Sequence, residues 1–476
     1  MGLVSYYRSM SLPKKASLWY LICNILQKGI SFFVVPFYVH YLTTSEYGHV
    51  SMFFSWREIL MIFATLSLYS GVYTKAMVDY EDDRDRYTSS MLGLTTILTI
   101  ILFLLYIIAV DRWNALLEID DVTGFLLFAS FLAFPPVSFW SVRQRVENKY
   151  KNMVALTMSK AICAPTLVIL LMLKTDLRAN AMIWGLLIVE IAFGVFFYVW
   201  QFVKGRCFYD KKYWVHALKF NIPLIPHYLS LIVLSQVDRL LVGSICGKDK
   251  AGIYSLAAQI ALLMNVVTSA INGALIPWLY QQFKVLNVSK VKQSSNYMCI
   301  LVGVLSILMM LVAPEIVRVI GTDEYLTSIW IIPPLVLGVY YTFVYGLYVS
   351  VTFYYNETKY VMIATTIGAC LSVLLNLLML PRFGFIAAGY SSMLCYFSFM
   401  VMHYYFMLKV SRKKLSGIRF FDVRFIWQTC VLLFCVMLLI ILLYNISFLY
   451  RYVIIVLVFF VLLKYREFWK HIIVVN

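Results

Sequence analysis

Residues 220–267, FNIPLIPHYLSLIVLSQVDRLLVGSICGKDKAGIYSLAAQIALLMNVV, decide the fold class because they hold two long apolar runs separated by the short turn GKDKAG. A helix that crosses a hydrocarbon core about 30 Å thick needs roughly 20 consecutive apolar residues. Both runs reach that length, so the stretch predicts two consecutive transmembrane helices. Asp238 and Arg239 interrupt the first run. Charged groups at membrane depth cost several kcal/mol, which makes this pair candidate functional residues.

The composition of the whole chain follows the same pattern. Of 476 residues, 62% are hydrophobic and 13% charged, and the mean hydropathy is +0.83, whereas soluble domains are roughly 45 to 50% apolar. We therefore predict an all-α polytopic membrane protein. The formal net charge of +17 indicates nucleic-acid binding only in a soluble chain. Here the basic residues lie in short loops between apolar runs, as the positive-inside rule expects, and no nucleic-acid partner is predicted.

Apolar runs bounded by charged or turn-forming residues predict about fourteen transmembrane helices. Lys and Arg residues outside the runs divide 28 to eight between the two sides of the membrane, which predicts an even number of spans with both termini in the cytoplasm. The predicted spans are residues 16–42, 49–73, 91–110, 122–142, 153–173, 181–203, 220–246, 251–283, 297–317, 328–353, 360–380, 384–408, 425–444 and 449–465.

Catalytic machinery is not apparent in the sequence. The longest loops have about 16 residues, too few for a separate catalytic domain, and GxSxG, HExxH and Gly-rich phosphate loops are absent. We therefore predict a protein that is not an enzyme and needs no cofactor. The nine cysteines form no CxxC pair, which predicts neither disulfides nor a metal site. The acidic run DYEDDRDR at residues 79–86 is interpreted as a solvated loop.

A weak internal repeat suggests how the spans are grouped. Gly48 corresponds to Gly252 and Ser51 to Ser255, both at an offset of 204 residues. Six spans per copy give the copies the same orientation, as in parallel transporter repeats. We predict an N-terminal six-helix lobe at residues 1–210, a C-terminal six-helix lobe at 211–410, and two additional transmembrane helices at 411–476.

Four basic residues fall inside predicted spans: Lys28, Arg57, Lys160 and Arg239. Asn24 lies four residues before Lys28 and therefore on the same helical face. The carboxylates clearly inside spans are fewer: Glu58, Glu190 and Asp238. A cavity that collects these groups would be net positive and suited to an anion, and the forked donors of arginine match phosphate oxygens.

The alternative interpretation of these charges is structural. They could form interhelical salt bridges, for example between Lys28 and Glu58, that fix packing. Adjacent helical residues point about 100° apart, so Glu58 is expected to neutralise a neighbouring helix rather than Arg57. In a transporter, Asp238 and Glu58 are also the candidate ion-coupling carboxylates.

Several motifs taken together resemble a known family. They are LTTSEYG (42–48), NIPLIP (221–226), DRLLVG (238–243), AGIYSLAAQ (251–259), Pro277 and PRFGFIAAGY (381–390). In their order and spacing they resemble the Wzx-type polysaccharide repeat-unit flippases of the multidrug/oligosaccharidyl-lipid/polysaccharide (MOP) exporter superfamily. The resemblance covers residues 16–410.

This resemblance implies two MATE-like lobes around a central cavity. It also implies that the protein moves an undecaprenyl-diphosphate-linked oligosaccharide, an O-antigen unit of lipopolysaccharide or a capsule repeat unit, across the bacterial inner membrane by alternating access. The partners it implies are the lipid-linked oligosaccharide, membrane lipids, a polysaccharide polymerase and a chain-length regulator. Many Wzx-type members are described with twelve spans, whereas the peptidoglycan-precursor flippases of the superfamily have fourteen, so that branch stays open.

Two other functions are weighed against the flippase. A cation-coupled multidrug exporter would use Asp238 or Glu58 for coupling, but the excess of intramembrane cations disfavours it. A membrane-embedded polysaccharide polymerase or ligase would be expected to carry acid, base or arginine clusters on an outer loop. The predicted outer loops are too short for this.

Overall fold

The computed structural model describes residues 11–446 and 448–464 of the chain. In these residues the regular elements are all helical, with seventeen α-helices and three short 3-10 segments, Glu81–Asp83, Ile222–Leu224 and Asp323–Trp330. The chain divides into two compact units, Met1–Gln236 and Val237–Asn476. The dividing point lies inside a helix, and the predicted lobe boundaries at 210 and 410 stay predictions.

The first unit contains nine complete helices and the start of a tenth. They are α1 (Leu12–Tyr41), α2 (Thr44–Thr65), α3 (Val72–Asp79), α4 (Arg84–Ile108), α5 (Val110–Leu117), α6 (Asp121–Val146), α7 (Tyr150–Lys174), α8 (Ala179–Gly205), α9 (Lys211–Asn221) and α10 (Ile225–Cys246). The second unit continues with α11 (Lys248–Lys284), α12 (Val288–Ile320), α13 (Ile332–Tyr354), α14 (Lys359–Phe383), α15 (Ala387–Lys414), α16 (Val423–Leu443) and α17 (Phe448–Lys464).

Twelve helices among the described residues are long and apolar enough to cross a membrane. In this count α9 and α10 form one span, Lys211–Cys246, because the two helices join through the 3-10 turn that contains Pro223. The two other predicted spans correspond to α2, which carries Arg57 and Glu58, and to α17, whose apolar segment Phe448–Leu457 is shorter. The prediction of an all-helical, multi-pass membrane protein is confirmed.

Helix α2 ends earlier than predicted. The expected span 49–73 is broken after Thr65 by Leu66 and Ser67, whose φ angles of 47° and 50° leave the right-handed helical region. Such backbone is strained for residues other than glycine and needs support from its surroundings. Asn221 gives that support by donating its side-chain amide to the carbonyl oxygen of Leu66 at 2.7 Å.

A capping box starts α2 within the LTTSEYG motif. The Thr43 hydroxyl accepts the backbone N–H of Glu46 at 3.2 Å, and the Glu46 carboxylate accepts the Thr43 N–H at 2.8 Å. Two of the free N–H groups at the helix end are thereby satisfied. Helix α2 starts at Thr44 and α11 at Lys248, the same offset of 204 residues that relates the two sequence copies.

Close helix packing forms the first unit. Helix α8 packs against α4, α6 and α7, and α7 packs against α1. Gly194 permits the close approach of α8 to α6, because a Cβ atom there would lie only 2.5 Å from the carbonyl oxygen of Ala133 on α6. Small residues at such crossings let helix backbones approach each other in membranes.

Helix α13 is the centre of the second unit. It packs against α11, α12, α15 and α16, and its side chains from Ile332 to Tyr341 are all buried. Helices α16 and α17 join this unit by packing on α12. One expectation is wrong here: Arg451 is one of the eight Lys and Arg residues that the sequence count assigns to the outer side of the membrane, but it is buried on α17 and pairs with Glu315 of α12 at 2.9 Å.

Candidate functional site

The first unit assembles a charge network around Arg57. The Arg57 side chain is only 6% exposed, and its Nη2 lies 2.6 Å from Glu190 Oε2 on α8. Its Nη1 lies 3.1 Å from Glu58 Oε1, and its Nε donates to the Ser130 hydroxyl on α6 at 3.2 Å. All three nitrogens of this guanidinium therefore have a protein partner.

The expectation for Glu58 is wrong. It was expected to neutralise a neighbouring helix, yet it pairs with Arg57, its immediate neighbour in the sequence. The two Cβ atoms do point apart, but both side chains are long enough to curve toward each other. The predicted Lys28–Glu58 salt bridge is absent from the described part of the chain.

Lys160 lies on the wall of a cavity of about 460 Å³ in the first unit. It interacts electrostatically with Glu190 and with Arg57. It makes no ion pair with any residue in the described ranges, and the nearby Glu190 is bonded to Arg57. The structure thus brings Arg57, Glu58, Glu190 and Lys160 into one cluster of interacting charges.

Lys28 and Asn24 are placed differently. Both are exposed on α1, and between residues 11 and 464 no described group forms an ion pair with Lys28. Ser31, on the same face, donates its hydroxyl to the Gln27 carbonyl at 3.0 Å. Asn24, Lys28 and Ser31 are all exposed on α1, and among the described residues none of them contacts the Arg57 network.

The second unit encloses Asp238 in a cage of neutral donors. Asp238 is 7% exposed. The hydroxyls of Tyr254 on α11 and Ser392 on α15 donate to Oδ2 at 2.9 and 2.5 Å. The amide of Asn376 on α14 donates to Oδ1 at 2.6 Å, and the Ser372 hydroxyl lies 3.5 Å from the same oxygen. Both oxygens of this carboxylate are thus bound by side chains from three helices.

The cage has an outer layer that fixes its geometry. Ser391 donates its hydroxyl to the side-chain oxygen Oδ1 of Asn376 at 3.0 Å, which orients the Asn376 NH₂ group toward Asp238. Arg239 is half-buried and interacts electrostatically with Asp238 and Tyr254. Among the described residues there is no group of three or more His, Cys, Asp and Glu side chains placed to hold a metal ion.

Sequence reasoning missed most of the neutral partners in both units. Asn376 could have been recognised as a candidate, since it is the one amide side chain in the apolar run LSVLLNLLML. Ser391 and Ser392 could also have been recognised, because they directly follow the PRFGFIAAGY motif. Ser130 had none, because one serine in an apolar span is usually bonded to its own helix. Glu190 was counted as an intramembrane carboxylate but received no role.

The fold matches those of two membrane proteins of known structure. The structure of the lipid II flippase MurJ in an inward closed conformation matches with a TM-score of 0.68 at 15% identity, covering 95% of this chain and 99% of that one. An inward-facing MATE-family multidrug resistance transporter of the MOP superfamily matches with a TM-score of 0.63 at 14% identity, covering 82% of this chain and 96% of that one.

Sequence comparison gives the family. The family model described as Polysaccharide biosynthesis protein matches residues 14–283, more than half of the chain, and the chain belongs to this family. It is 24% identical over 399 residues to an Lsg locus protein of Haemophilus influenzae, covering 75% of this chain and 94% of that protein. A membrane protein of the same species, uncharacterized, is 25% identical over 374 residues, with 74% and 86% covered. The resemblance predicted from the motifs is confirmed.

Proposed function

We propose that this protein is a flippase for an undecaprenyl-diphosphate-linked oligosaccharide, the repeat unit of an O-antigen or a capsule, which it moves across the bacterial inner membrane by alternating access. Family membership and the flippase-like fold support a lipid-linked glycan as the substrate. The even span count and the basic loops support cytoplasmic N- and C-termini. A polysaccharide polymerase and a chain-length regulator are the proposed protein partners.

The observation that carries this proposal is a surplus of positive charge in the first unit. Arg57 is neutralised by Glu58 and Glu190. Lys160 therefore faces its cavity without an ion-pair partner, and Lys28 is exposed in the middle of α1 without one, among the described residues. An intramembrane cation without a carboxylate partner favours an anionic substrate. A diphosphate carries the required charge.

The proposed substrate contacts are Lys28, Asn24, Arg57, Lys160 and Arg239. Lys28 and Asn24 share one face of α1 and can meet the same ligand. Arg57 can contact substrate only if one of its three protein partners yields, so we give it the additional role of holding the network in place.

Asp238 is the proposed ion-coupling residue. Its carboxylate is buried and is held by hydrogen bonds from α11, α14 and α15. A cation or proton that binds there would change the bonds that join these helices, which is how binding could bias a conformational change. Glu58 is a second proposed coupling carboxylate, because its loss of charge would free one side of the Arg57 guanidinium.

A cation-coupled multidrug exporter is the second candidate. The buried Asp238 and the fold shared with a MATE-family transporter favour it, whereas the cations without ion-pair partners in the first unit do not. A drug cation would be repelled by Lys160 unless that side chain lost its proton.

Surface polysaccharide in a deletion strain separates these functions. The flippase proposal expects loss of the polymer, with intact lipid-linked repeat units trapped in the cytoplasmic leaflet. Repeat units that reach the outer leaflet unpolymerised would identify a polymerase instead. Unchanged glycan together with raised drug susceptibility would identify the exporter.

A further inference from the structure

A histidine without hydrogen-bond partners lies in the interior of the second unit. His403 of α15 is completely buried, and within the described ranges neither of its ring nitrogens has a hydrogen-bond partner. The ring stacks on Tyr345 of α13 with 5.2 Å between the ring centroids, and it meets the ring of Phe399 at 4.5 Å. A phenylalanine would fill this space without burying an unsatisfied nitrogen. Because buried polar groups are nearly always satisfied, such an exception favours a role in chemistry.

Two more unsatisfied hydroxyls lie on the facing helix α13. Tyr348 and Thr352 are completely buried, and in the described part of the chain their hydroxyl oxygens have no hydrogen-bond partner. Tyr345, Tyr348 and Thr352 follow each other at spacings of three and four residues, which aligns them along one side of α13. Tyr348 also contacts Tyr404, the residue after His403, with 5.5 Å between the ring centroids. Thr352 lies in the last turn of α13, at the end that the basic loops predict to be cytoplasmic.

In the other direction, one face of α15 leads from His403 to the Asp238 cage. Ser392, Tyr396 and His403 follow each other at spacings of four and seven residues and therefore share this face. Ser392 donates to Asp238 Oδ2 at 2.5 Å, and His403 lies roughly 16 Å further along the helix axis. Tyr396 interacts electrostatically with both Asp238 and Tyr345, and Tyr345 contacts the imidazole ring. A continuous row of polar side chains thus joins Asp238 to His403.

The surroundings of His403 contain no counter-charge for an imidazolium. Among the described residues no carboxylate or cation interacts with its ring. The titratable side chains that the structure places around this part of α15 are neutral at ordinary pH: Tyr345 and Tyr348 on α13, Tyr360 on α14, Tyr404 on α15 and Cys430 on α16. A buried imidazolium without a partner is unfavourable, so His403 can pass a proton on but does not store one.

We propose that His403 relays protons between Asp238 and the predicted cytoplasmic end of α13, so that the ion coupled to transport is a proton. A neutral imidazole has one N–H donor and one acceptor nitrogen. The acceptor nitrogen takes up a proton from the side of Thr352, and the other nitrogen releases its own proton toward Tyr396. The Asp238 carboxylate receives that proton and becomes a neutral carboxylic acid, and the histidine is left neutral in its other tautomer.

This inference rests on the proposed function and deepens it. The proposed function leaves a cation or a proton open as the ion that Asp238 binds. The relay selects the proton and names the residue that delivers it. The relay is a row of buried side chains on α13 and α15 of the second unit, apart from the cations of the first unit.

The test is stimulation of glycolipid movement by a proton gradient in proteoliposomes. The full-length protein is reconstituted with a fluorescent undecaprenyl-diphosphate oligosaccharide, an impermeant quencher reports its leaflet, and internal pyranine reports proton movement. We expect His403→Phe to lower the stimulation by an imposed pH gradient at least about tenfold, as the loss of a proton-transfer group commonly does. Movement without a gradient should remain. His40→Phe is the matched control, because His40 is exposed on α1 and should keep the full stimulation.

A second variant separates the relay from packing. Tyr348→Phe removes a single oxygen atom that has no partner among the described residues, so it should fold normally and should also lower the stimulation, to a smaller extent. Equal stimulation of wild type, His403→Phe and Tyr348→Phe would overturn the relay. A proportional loss of gradient-free movement in His403→Phe would also overturn it, since that result indicates a packing role.

Wild-type protein separates the relay from the proposed function. Gradient-free movement of the oligosaccharide that responds to sodium and not to pH would overturn the relay and leave the flippase in place. Absence of any protein-dependent movement in wild type, with or without gradients, would contradict the flippase itself.

Discussion

At the scale of single residues, the charges inside the helices fall into two classes. Arg57 has a hydrogen-bonded partner for every guanidinium nitrogen, and Asp238 has donors on both oxygens. Lys28 and Lys160 have no ion-pair partner among the described residues. Buried charges with full partner sets stabilise an arrangement, whereas charges that face open space are free to bind ligands.

Removing Arg57 should destabilise the first unit. Arg57→Met leaves Glu190 as a largely buried carboxylate without its partner, so we expect a loss of about 3 to 5 kcal/mol. SDS titration in mixed micelles measures this free energy of unfolding. The double variant Arg57→Met/Glu190→Gln should recover part of the loss, since it also removes the orphaned charge. If the single variant is as stable as the exposed control Lys151→Met, the network is not structural.

Replacing Asp238 by asparagine should weaken the hydrogen bonds around this position without removing all of them. Both carboxylate oxygens accept hydrogen bonds, so the new NH₂ group must face a donor, and we expect a cost of about 1 to 3 kcal/mol. We also expect transport by Asp238→Asn to lose its dependence on the coupling ion, measured by varying sodium and pH separately. Asp249→Asn is the control, since Asp249 is exposed in the first turn of α11. Retained ion dependence in Asp238→Asn would exclude Asp238 from coupling.

At the scale of helices, close crossings should tolerate little added volume. Gly194→Leu places a large side chain where a Cβ atom already meets the Ala133 backbone. We expect a destabilisation of at least about 1 to 3 kcal/mol from overpacking. Gly29→Ala on α1 is the matched control, because a Cβ there meets nothing within 4 Å, and it should stabilise α1 by about 0.5 to 1 kcal/mol. The thermal stability of the two variants tests this prediction. If Gly194→Leu is as stable as Gly29→Ala, the tight α6–α8 crossing is contradicted.

The linker between α13 and α14 should contribute stability that depends on pH. The Lys413 ammonium donates to Glu357 at 2.9 Å, and this bond, aided by the charges of Lys359 and Lys414, holds the pKa of the Glu357 carboxyl below its ordinary value. The contribution is therefore present above the unfolded pKa near 4.3 and is lost as the pH falls through the lower folded value.

Unfolding measured from about pH 6 to about pH 3 tests this linker. Wild-type protein should lose more stability over that range than Glu357→Gln. Lys413→Met should show the same flattened profile, because it removes the other half of the pair. Parallel profiles for all three proteins would show that the pair is not formed in solution.

The long apolar helices and their order could be predicted from the sequence because hydrophobic length determines them, whereas the short helices α3, α5 and α9 were not predicted. Each of the fourteen predicted spans corresponds to a helix, but α2 starts at Thr44 and not at the predicted residue 49, because the capping box of Thr43 and Glu46 begins the helix earlier. The break at Leu66 was missed because its support comes from Asn221, which is distant in the sequence. The burial of Arg451 was missed for the same reason, since its partner Glu315 lies on α12.

At the scale of the whole molecule, the sequence predicts the charge of the ligand better than it predicts which side chains contact each other at the site. The surplus of intramembrane cations is visible in the composition of the spans and predicts an anionic ligand. Which cation is free and which is occupied depends on side-chain contacts between helices, as the pairing of Arg57 with Glu190 shows. The cage of Asp238 likewise draws on three helices that are far apart in the sequence, so only the three-dimensional structure reveals it.

The most direct test of the flippase proposal is transport in proteoliposomes. The purified protein is reconstituted with a fluorescent undecaprenyl-diphosphate oligosaccharide, and a membrane-impermeant quencher reports how much of it lies in the outer leaflet. We expect protein-dependent movement between leaflets that Lys160→Met slows and that Lys151→Gln, a change at an exposed residue of the same helix, does not. Equal leaflet exchange in vesicles with and without the protein, under imposed sodium and proton gradients, would contradict the assignment.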